Sequence, residues 1–522
     1  MFYYLIIYFI LTALLLFFNS KQAKVFSIVG IILLAGIWRL NSWLHPYSLC
    51  IDEAEWLSLA GRLTECKIPY KCYNGSTSGF LSIGFVSILN LLGLELSYIN
   101  LRVFGFLTCI IPTLLFTYAG LKRWYGEKVS TLVFPWLGMI MIFGFYDREF
   151  LSYNTEYPLM LLYSIIYYLF SRWKQNKFEQ TTIPIIIGFI LGVLPYIKLQ
   201  AVPFVFAFFT AICFFFVTKR MWSKSLYFGF ALILPSVIIV LYFVCENVLH
   251  DFYKMYIEAN AYYVKHRITQ YKYSENEFIH RLRAFKGMHI NTYLPVYLGI
   301  IPIIMLNVRK VFGKDFFINI FYNITFWVFC WVCYSTYTTG NGFGHYNILL
   351  IIPLIYLIGN FYSYIINYYY IYLKWLTILG FLLAGTMYLF RLQLYFSPHE
   401  DSYTNIEKYI FNKTATKEPV LLLGYTYALE TQIRTKRKLP VRNATTHFIT
   451  IKDTSLRRYF QDGFIEDMRL NPPTIVIDTE EVLYNPDLNR VRNFIFSNYE
   501  KDTIIDNHQI FRKKQFKKTI RN

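Results

Sequence analysis

The sequence predicts an all-α polytopic membrane protein of about twelve transmembrane helices, followed by a small extracytoplasmic α/β domain. Three observations carry that prediction. Of the 522 residues, 56% are hydrophobic, 20% aromatic and only 16% charged, where soluble proteins average about a quarter charged. Apolar runs recur at lengths near the ~20 residues that cross a hydrocarbon core. Finally, the net charge is +19, and its basic clusters sit at the ends of apolar runs, as they do in cytoplasmic loops. These clusters are Lys21/Lys24, Lys122-Arg123, Arg172/Lys174/Lys177 and Lys219-Arg220. No basic groove-binding motif accompanies them, so the charge speaks for lipid head groups and an anionic carrier and against nucleic acid.

In chain order, spans are expected near 2–18, 25–43, 100–121, 129–146, 157–172, 182–197, 201–217, 225–245, 293–308, 316–334, 346–363 and 373–393. Residues 2–18 lack a basic leader and a small-residue cleavage site, so they read as a retained helix. Segment 79–94 is short and carries Ser82, Gly84, Ser87 and Asn90. It is expected to lie on the outer surface as an amphipathic helix. With that choice the basic loops 19–24, 122–128, 172–180, 218–224 and 309–315 all fall inside. The acidic stretch 52–56, the Tyr146–Tyr157 loop and the loops 246–292 and 335–345 fall outside, as do both termini. Were 79–94 to cross, every later loop would invert.

From about residue 395 the composition changes. Val420–Gly424 and Thr474–Asp478 read as short buried strands, with helical stretches from Leu456 to Leu470 and from Asn485 to Tyr499. That alternation predicts a small α/β domain over 395–522. Residues 1–394 form the membrane domain, with an outer loop at 45–99. Of the eight cysteines, Cys66 and Cys72 share that loop and are close enough to pair. A disulfide in an oxidising compartment and two buried thiols are both open.

The outer loop carries the most informative stretch, Pro46-Tyr47-Ser48-Leu49-Cys50-Ile51-Asp52-Glu53-Ala54-Glu55-Trp56. It sets three carboxylates next to a hydrophobic helix, where acids are costly unless water or a cation receives them. Ala60-Gly61-Arg62-Leu63, Pro69-Tyr70 and Leu101-Arg102 follow. This layout resembles the first extracytoplasmic loop of GT-C glycosyltransferases, in the bacterial branch of protein O-mannosyltransferase-like and lipid A aminoarabinose transferase-like enzymes. The resemblance covers roughly residues 25–395. It implies a hexosyl- or pentosyltransferase of a bacterial inner membrane with its site on the extracytoplasmic side. A sugar would pass from a polyprenyl-phosphate donor to an envelope glycan, lipid or protein.

That chemistry needs a carboxylate to deprotonate the acceptor and cations to receive charge on the departing phosphate. Asp52 matches the catalytic acid of the family motif and Glu53 its neighbour; in a helix the two point about 100° apart. Asp52 is therefore the expected base and Glu53 its support, with Glu55 expected in solvent. In the second outer loop Asp147, Glu149 and Glu156 are candidates for the cavity, and spacing does not choose among them. Gly188 and Gly192 precede Lys198, a segment similar to ones in GT-C relatives, where the Lys meets phosphate; a snorkelling Lys is the alternative. Arg102 is a second candidate cation, and His345 and Tyr346, after the Gly340–Gly344 loop, are further phosphate candidates. No basic residue stands in Ser76–Phe80, where some relatives carry one.

No obligatory cofactor is expected; some GT-C branches use a divalent metal and others do not. Two other classes compete. A lipid-pyrophosphate oligosaccharide ligase would carry a large outer loop with paired arginines, which is missing here. A polysaccharide or lipid transporter would place polar residues in mid-helix and show repeated halves.

Overall fold

In water-free surroundings a backbone satisfies its own polar groups most simply as helix, and the apolar runs do so here. The computed structural model describes all residues except 1, 19, 76, 145–147, 177–178, 267–276, 306–322, 340–343, 392–403, 417, 425 and 515–522. It divides into two compact units: the first comprises Met1–Leu44, Arg102–Leu241 and Tyr263–Phe396, the second His45–Leu101, Tyr242–Tyr262 and Ser397–Asn522.

The described part of each expected span falls on a helix. Seven are long and apolar enough to cross a membrane: Lys21–Leu44, Tyr98–Tyr125, Glu127–Gly144, Leu199–Thr218, Trp222–Cys245, Gly344–Ile366 and Tyr370–Tyr388. The chain is accordingly an integral membrane protein. The other expected spans are α-helices that are shorter or more polar: Phe2–Phe17, Glu156–Gln175, Thr182–Ile197, Glu277–Met305 and Ile324–Thr339. Residues 316–322 of the last of these spans lie outside the described residues. The helix Glu277–Met305 begins well before the expected 293, taking in Arg281, Arg283 and Lys286. Part of the expected loop 246–292 is therefore helical.

Helix Ile351–Arg391 is 41 residues long, yet the Tyr362 hydroxyl lies 2.8 Å from Thr377 Oγ1, 15 residues on. A straight helix would separate those residues by about 22 Å. The chain therefore doubles back between them, giving the two antiparallel arms that the two expected spans require. Trp136 seals this region: its Nε1 donates to Tyr362 at 3.1 Å and its ring lies 4.2 Å from that of Phe381. Beside it two helices cross at a glycine pair, where a Cβ on Gly380 would sit 2.4 Å from the Gly299 carbonyl oxygen.

A second close crossing explains the Gly-x-x-x-Gly segment. In the Thr182–Ile197 helix a Cβ on Gly188 would stand 2.7 Å from the Phe228 carbonyl oxygen, and one on Gly192 2.2 Å from that of Leu232. Small residues at this spacing let two helix backbones approach. The motif is thus a packing seam, and it seats the helix that ends at Lys198.

The second unit holds a four-stranded sheet of order β1-β2-β4-β3, with β1 Val420–Leu423, β2 Ile475–Asp478, β3 Tyr499–Ile505 and β4 His508–Lys513. The first two are the expected strands and pair in parallel; β3 and β4 add an antiparallel hairpin that the alternation of apolar runs did not signal. Ile406, Ile410, Val420, Leu422, Ile475, Ile477 and Ile510 form its core. The unit also contains helix α1, Ile51–Glu65, and helix α2, Phe80–Leu91. The 12 residues of α2 span about 18 Å, too short for a ~30 Å core. It buries Ser82, Ile83, Val86, Ser87 and Leu89 and exposes Leu91.

Loop 66–75 is anchored. Cys66 and Cys72 form a disulfide, the Asn74 N–H donates to the Arg442 carbonyl at 2.8 Å, and the Asn74 amide donates to Asn443 at 2.9 Å. Arg442 is itself locked on buried Asp467, donating to Oδ1 from Nη2 at 2.8 Å and to Oδ2 from its backbone at 2.7 Å. Removing one member of such a pair strands the other. Asp467→Ala is expected to destabilise the protein by about 3 kcal/mol, read as a fall in Tm. Gly192→Ala is expected to cost about 2 kcal/mol by overpacking, while Gly84→Ala, which meets nothing within 4 Å, leaves Tm unchanged.

Candidate functional site

In the first unit the chain collects four of the expected residues at one buried point. Helix Glu156–Gln175 starts at Glu156, where the positive end of the helix dipole favours an acid, and Glu156 is fully buried. Helix Thr182–Ile197 stops at Lys198, whose backbone is extended (φ −162°, ψ 132°) before a 3-10 turn, Leu199–Ala201, reopens the chain as helix. That single-residue break aims the Lys198 side chain inward. Its Nζ lies 2.5 Å from Glu156 Oε1 and 3.1 Å from Thr155 Oγ1, and Lys198 is only 3% exposed. A snorkelling lysine would reach solvent; this one does not.

His345 and Tyr346 enter from the 3-10 segment Gly344–Leu350, and both are buried. His345 Nε2 is 4.0 Å from the same Glu156 oxygen. The Tyr346 ring centroid lies 5.3 Å from Lys198 Nζ, a cation–π distance, and its ring packs edge-on against His345 at 4.5 Å. The arrangement sets a lysine cation and an imidazole on one carboxylate, with an aromatic wall. Fixed, water-poor charges of this kind meet a developing anion without reorganising.

The contacts described for the other candidates are fewer. Arg102 is buried, and its Nη1 donates to the Ser42 carbonyl at 2.6 Å. Asp147 lies outside the described residues, and Glu149 falls in the short helix Arg148–Leu151. The second-loop acid Glu156 contacts Lys198.

In the second unit Asp52 and Glu53 occupy the first turn of α1. Asp52 is half-buried. Glu53 is fully buried, and its Oε2 accepts the Leu49 N–H at 3.1 Å, so it closes the turn leading into the helix. The preceding residues are held by helix Thr426–Thr435: the Ser48 N–H donates to Glu430 at 3.3 Å, and the Arg434 guanidinium lies 4.6 Å from the Tyr47 ring centroid. Glu55 corrects an expectation. It is 6% exposed rather than solvated, because α1 packs against both α2 and the Thr426–Thr435 helix.

Two residues escaped the sequence reading. Thr155 joins the Lys198 contact, and no motif flagged it. Arg39 is 2% exposed within the apolar Lys21–Leu44 helix, with its guanidinium 5.8 Å from the Phe106 ring centroid and its Nη1 donating to the Ala35 carbonyl at 3.0 Å. Its signal was available: a lone cation deep in a membrane helix marks a function or a pairing.

No protein-family model matches the chain, and no curated protein matches its sequence. Solved structures do. Over 94% of this chain and 98% of the other, it is similar to ArnT from Cupriavidus metallidurans bound to undecaprenyl phosphate, with a TM-score of 0.53 and 11% identity. The apo state of the same protein matches equally, at 0.53 and 11% over the same shares. The Archaeoglobus fulgidus oligosaccharyltransferase in complex with Zn and sulfate gives a TM-score of 0.27 at 11% identity, covering 95% of this chain and 71% of that one. The chain therefore shares the fold of the ArnT structures.

The Lys198–Glu156 pair yields a prediction about stability. Lys198→Met or Glu156→Gln alone leaves one buried charge and is expected to cost about 3–5 kcal/mol. The double variant recovers most of that loss. Thermal unfolding of the three purified variants in one detergent reads the difference.

Proposed function

We propose that this chain is an integral-membrane glycosyltransferase that moves a sugar from a polyprenyl-phosphate donor to an envelope glycan, lipid or protein. One observation carries the reading: nearly the whole chain shares its fold with ArnT, a protein crystallised with undecaprenyl phosphate. The buried cation at Lys198, with His345 and Tyr346 beside it, supports it. A bacterial inner membrane and an extracytoplasmic site follow from the same reading and from the placing of the basic loops.

In this mechanism Asp52 accepts the proton of the acceptor hydroxyl or amine as that atom attacks the anomeric carbon. The new bond forms on the face opposite the phosphate, the C1–O bond to phosphate breaks, and polyprenyl phosphate leaves with the electron pair. The sugar's configuration inverts. The reaction also needs cations for the negative charge on the phosphate oxygens; in the first unit Lys198 and His345 are the candidates, with Glu156 holding the lysine in place. Glu53, closed on Leu49, fixes the turn that carries Asp52.

The test is release of free undecaprenyl phosphate from a panel of undecaprenyl-phosphate sugars with a crude envelope acceptor. A general base contributes on the order of 10²–10⁴-fold, so Asp52→Asn is expected to slow release at least a hundredfold while still binding the lipid. Lys198→Ala is expected to slow it by about 10²–10³, as loss of a preorganised charge does elsewhere. Release by Asp52→Asn at the wild-type rate would remove Asp52 from the chemistry. No release from any donor would turn the reading toward a ligase or a transporter.

A further inference from the structure

The second unit contains a pocket of about 310 Å³, the scale at which small-molecule sites begin. It lies beside α1 but away from Asp52. Helix α1 lines it with Leu57, Ser58, Gly61, Arg62 and Glu65, one stripe along the helix. Asp52 precedes Gly61 by about two and a half turns and so points to the opposite side. The far wall is the end of helix Thr426–Thr435 and the segment after it, with Gln432, Lys436 and Lys438.

Two features point to a ligand. The lining carries cations in excess. Lys436 pairs with Glu95 and Lys438 with Glu65, each at 2.6 Å, and Arg62 reaches Glu65 at 3.5 Å. The two lysine pairs are exposed, with the Lys436 and Glu95 side chains 65% and 56% accessible. Exposed pairs of this kind are worth little and exchange readily, so an incoming anion can take either lysine. The second feature is independent of charge. Ser58 Oγ and Gln432 Oε1 are buried and have no hydrogen-bond partner among the described residues, although Ser58 is 7% and Gln432 only 3% exposed. Orphaned polar atoms in a native interior call for an explanation, and a hydroxyl-rich ligand supplies one. Their backbones are fixed by the fold: Lys436 caps the end of helix Thr426–Thr435 in left-handed geometry at φ 52°, and Lys438 bridges Pro419 at the edge of the sheet.

We propose that this pocket binds the acidic sugar of a glycan, with Lys436 and Lys438 on its carboxylate and Ser58 and Gln432 on its hydroxyls. The site is separate from the proposed chemistry and is tested by binding alone. Isothermal titration of the full-length protein in detergent would compare trigalacturonate, neutral maltotriose and inorganic phosphate. Trigalacturonate is expected to bind at least tenfold more tightly than either. Lys436→Ala/Lys438→Ala, two exposed positions whose loss leaves Tm intact, is expected to weaken it at least tenfold. Ser58→Ala removes a hydroxyl that has no partner in the fold, so Tm should hold while affinity falls several-fold. Asp52→Asn should bind as the wild type does, whatever its effect on lipid phosphate release. Failure of trigalacturonate to bind, equal binding by the double variant, or equal binding of phosphate or maltotriose would each overturn the proposal.

Discussion

The pairing of Lys198 with Glu156 is the constraint on which the first unit depends. Two opposite charges removed from water are tolerable only when they meet, and each raises the cost of moving the other. That requirement fixes where one helix must start and another must stop. It also explains the glycine seam beneath it: Gly188 and Gly192 bring the Thr182–Ile197 backbone against Phe228 and Leu232, so the lysine at its end is delivered by rigid packing. A charge held this way is stiff, and stiffness is what electrostatic stabilisation of a leaving phosphate requires.

The second unit meets a different demand. Its α1 must present Asp52 at a helix start while the long chain around it stays ordered. The disulfide, the Asn74 contacts to Arg442 and Asn443, and the Arg442–Asp467 pair tie loop 66–75 to the sheet domain. Glu430 and Arg434 hold the residues just before the helix. Residues 45–101 thus fold with the C-terminal segment, although nearly three hundred positions separate them in the chain. Glu55 is buried for the same reason, since both sides of its helix are covered.

Helix α1 thus carries both proposals on different faces. One carries the acid assigned to proton transfer, and the other lines a basic pocket with orphaned hydrogen-bonding atoms. The half-turn around the helix that separates them keeps the two proposals separately testable.

Sequence alone determined the class of protein and most of its helices, because runs of Leu, Ile, Phe and Tyr near twenty residues long have few fates other than a bilayer. Its resemblance to GT-C loops nominated Asp52, Glu53, Lys198, Arg102, His345, Tyr346 and the second-loop acids as candidates. Tertiary structure decided what periodicity cannot encode. The contact of Glu156 with Lys198 needed the meeting of two helix ends 42 residues apart. The β3–β4 hairpin escaped notice because Tyr499–Ile505 is largely exposed and lacks the apolar run that betrayed β1 and β2. The cysteine pairing, the burial of Glu55 and the basic pocket all arise from contacts between segments distant in sequence. Local patterns record what a residue prefers; which partner it finds is fixed only when the chain closes on itself.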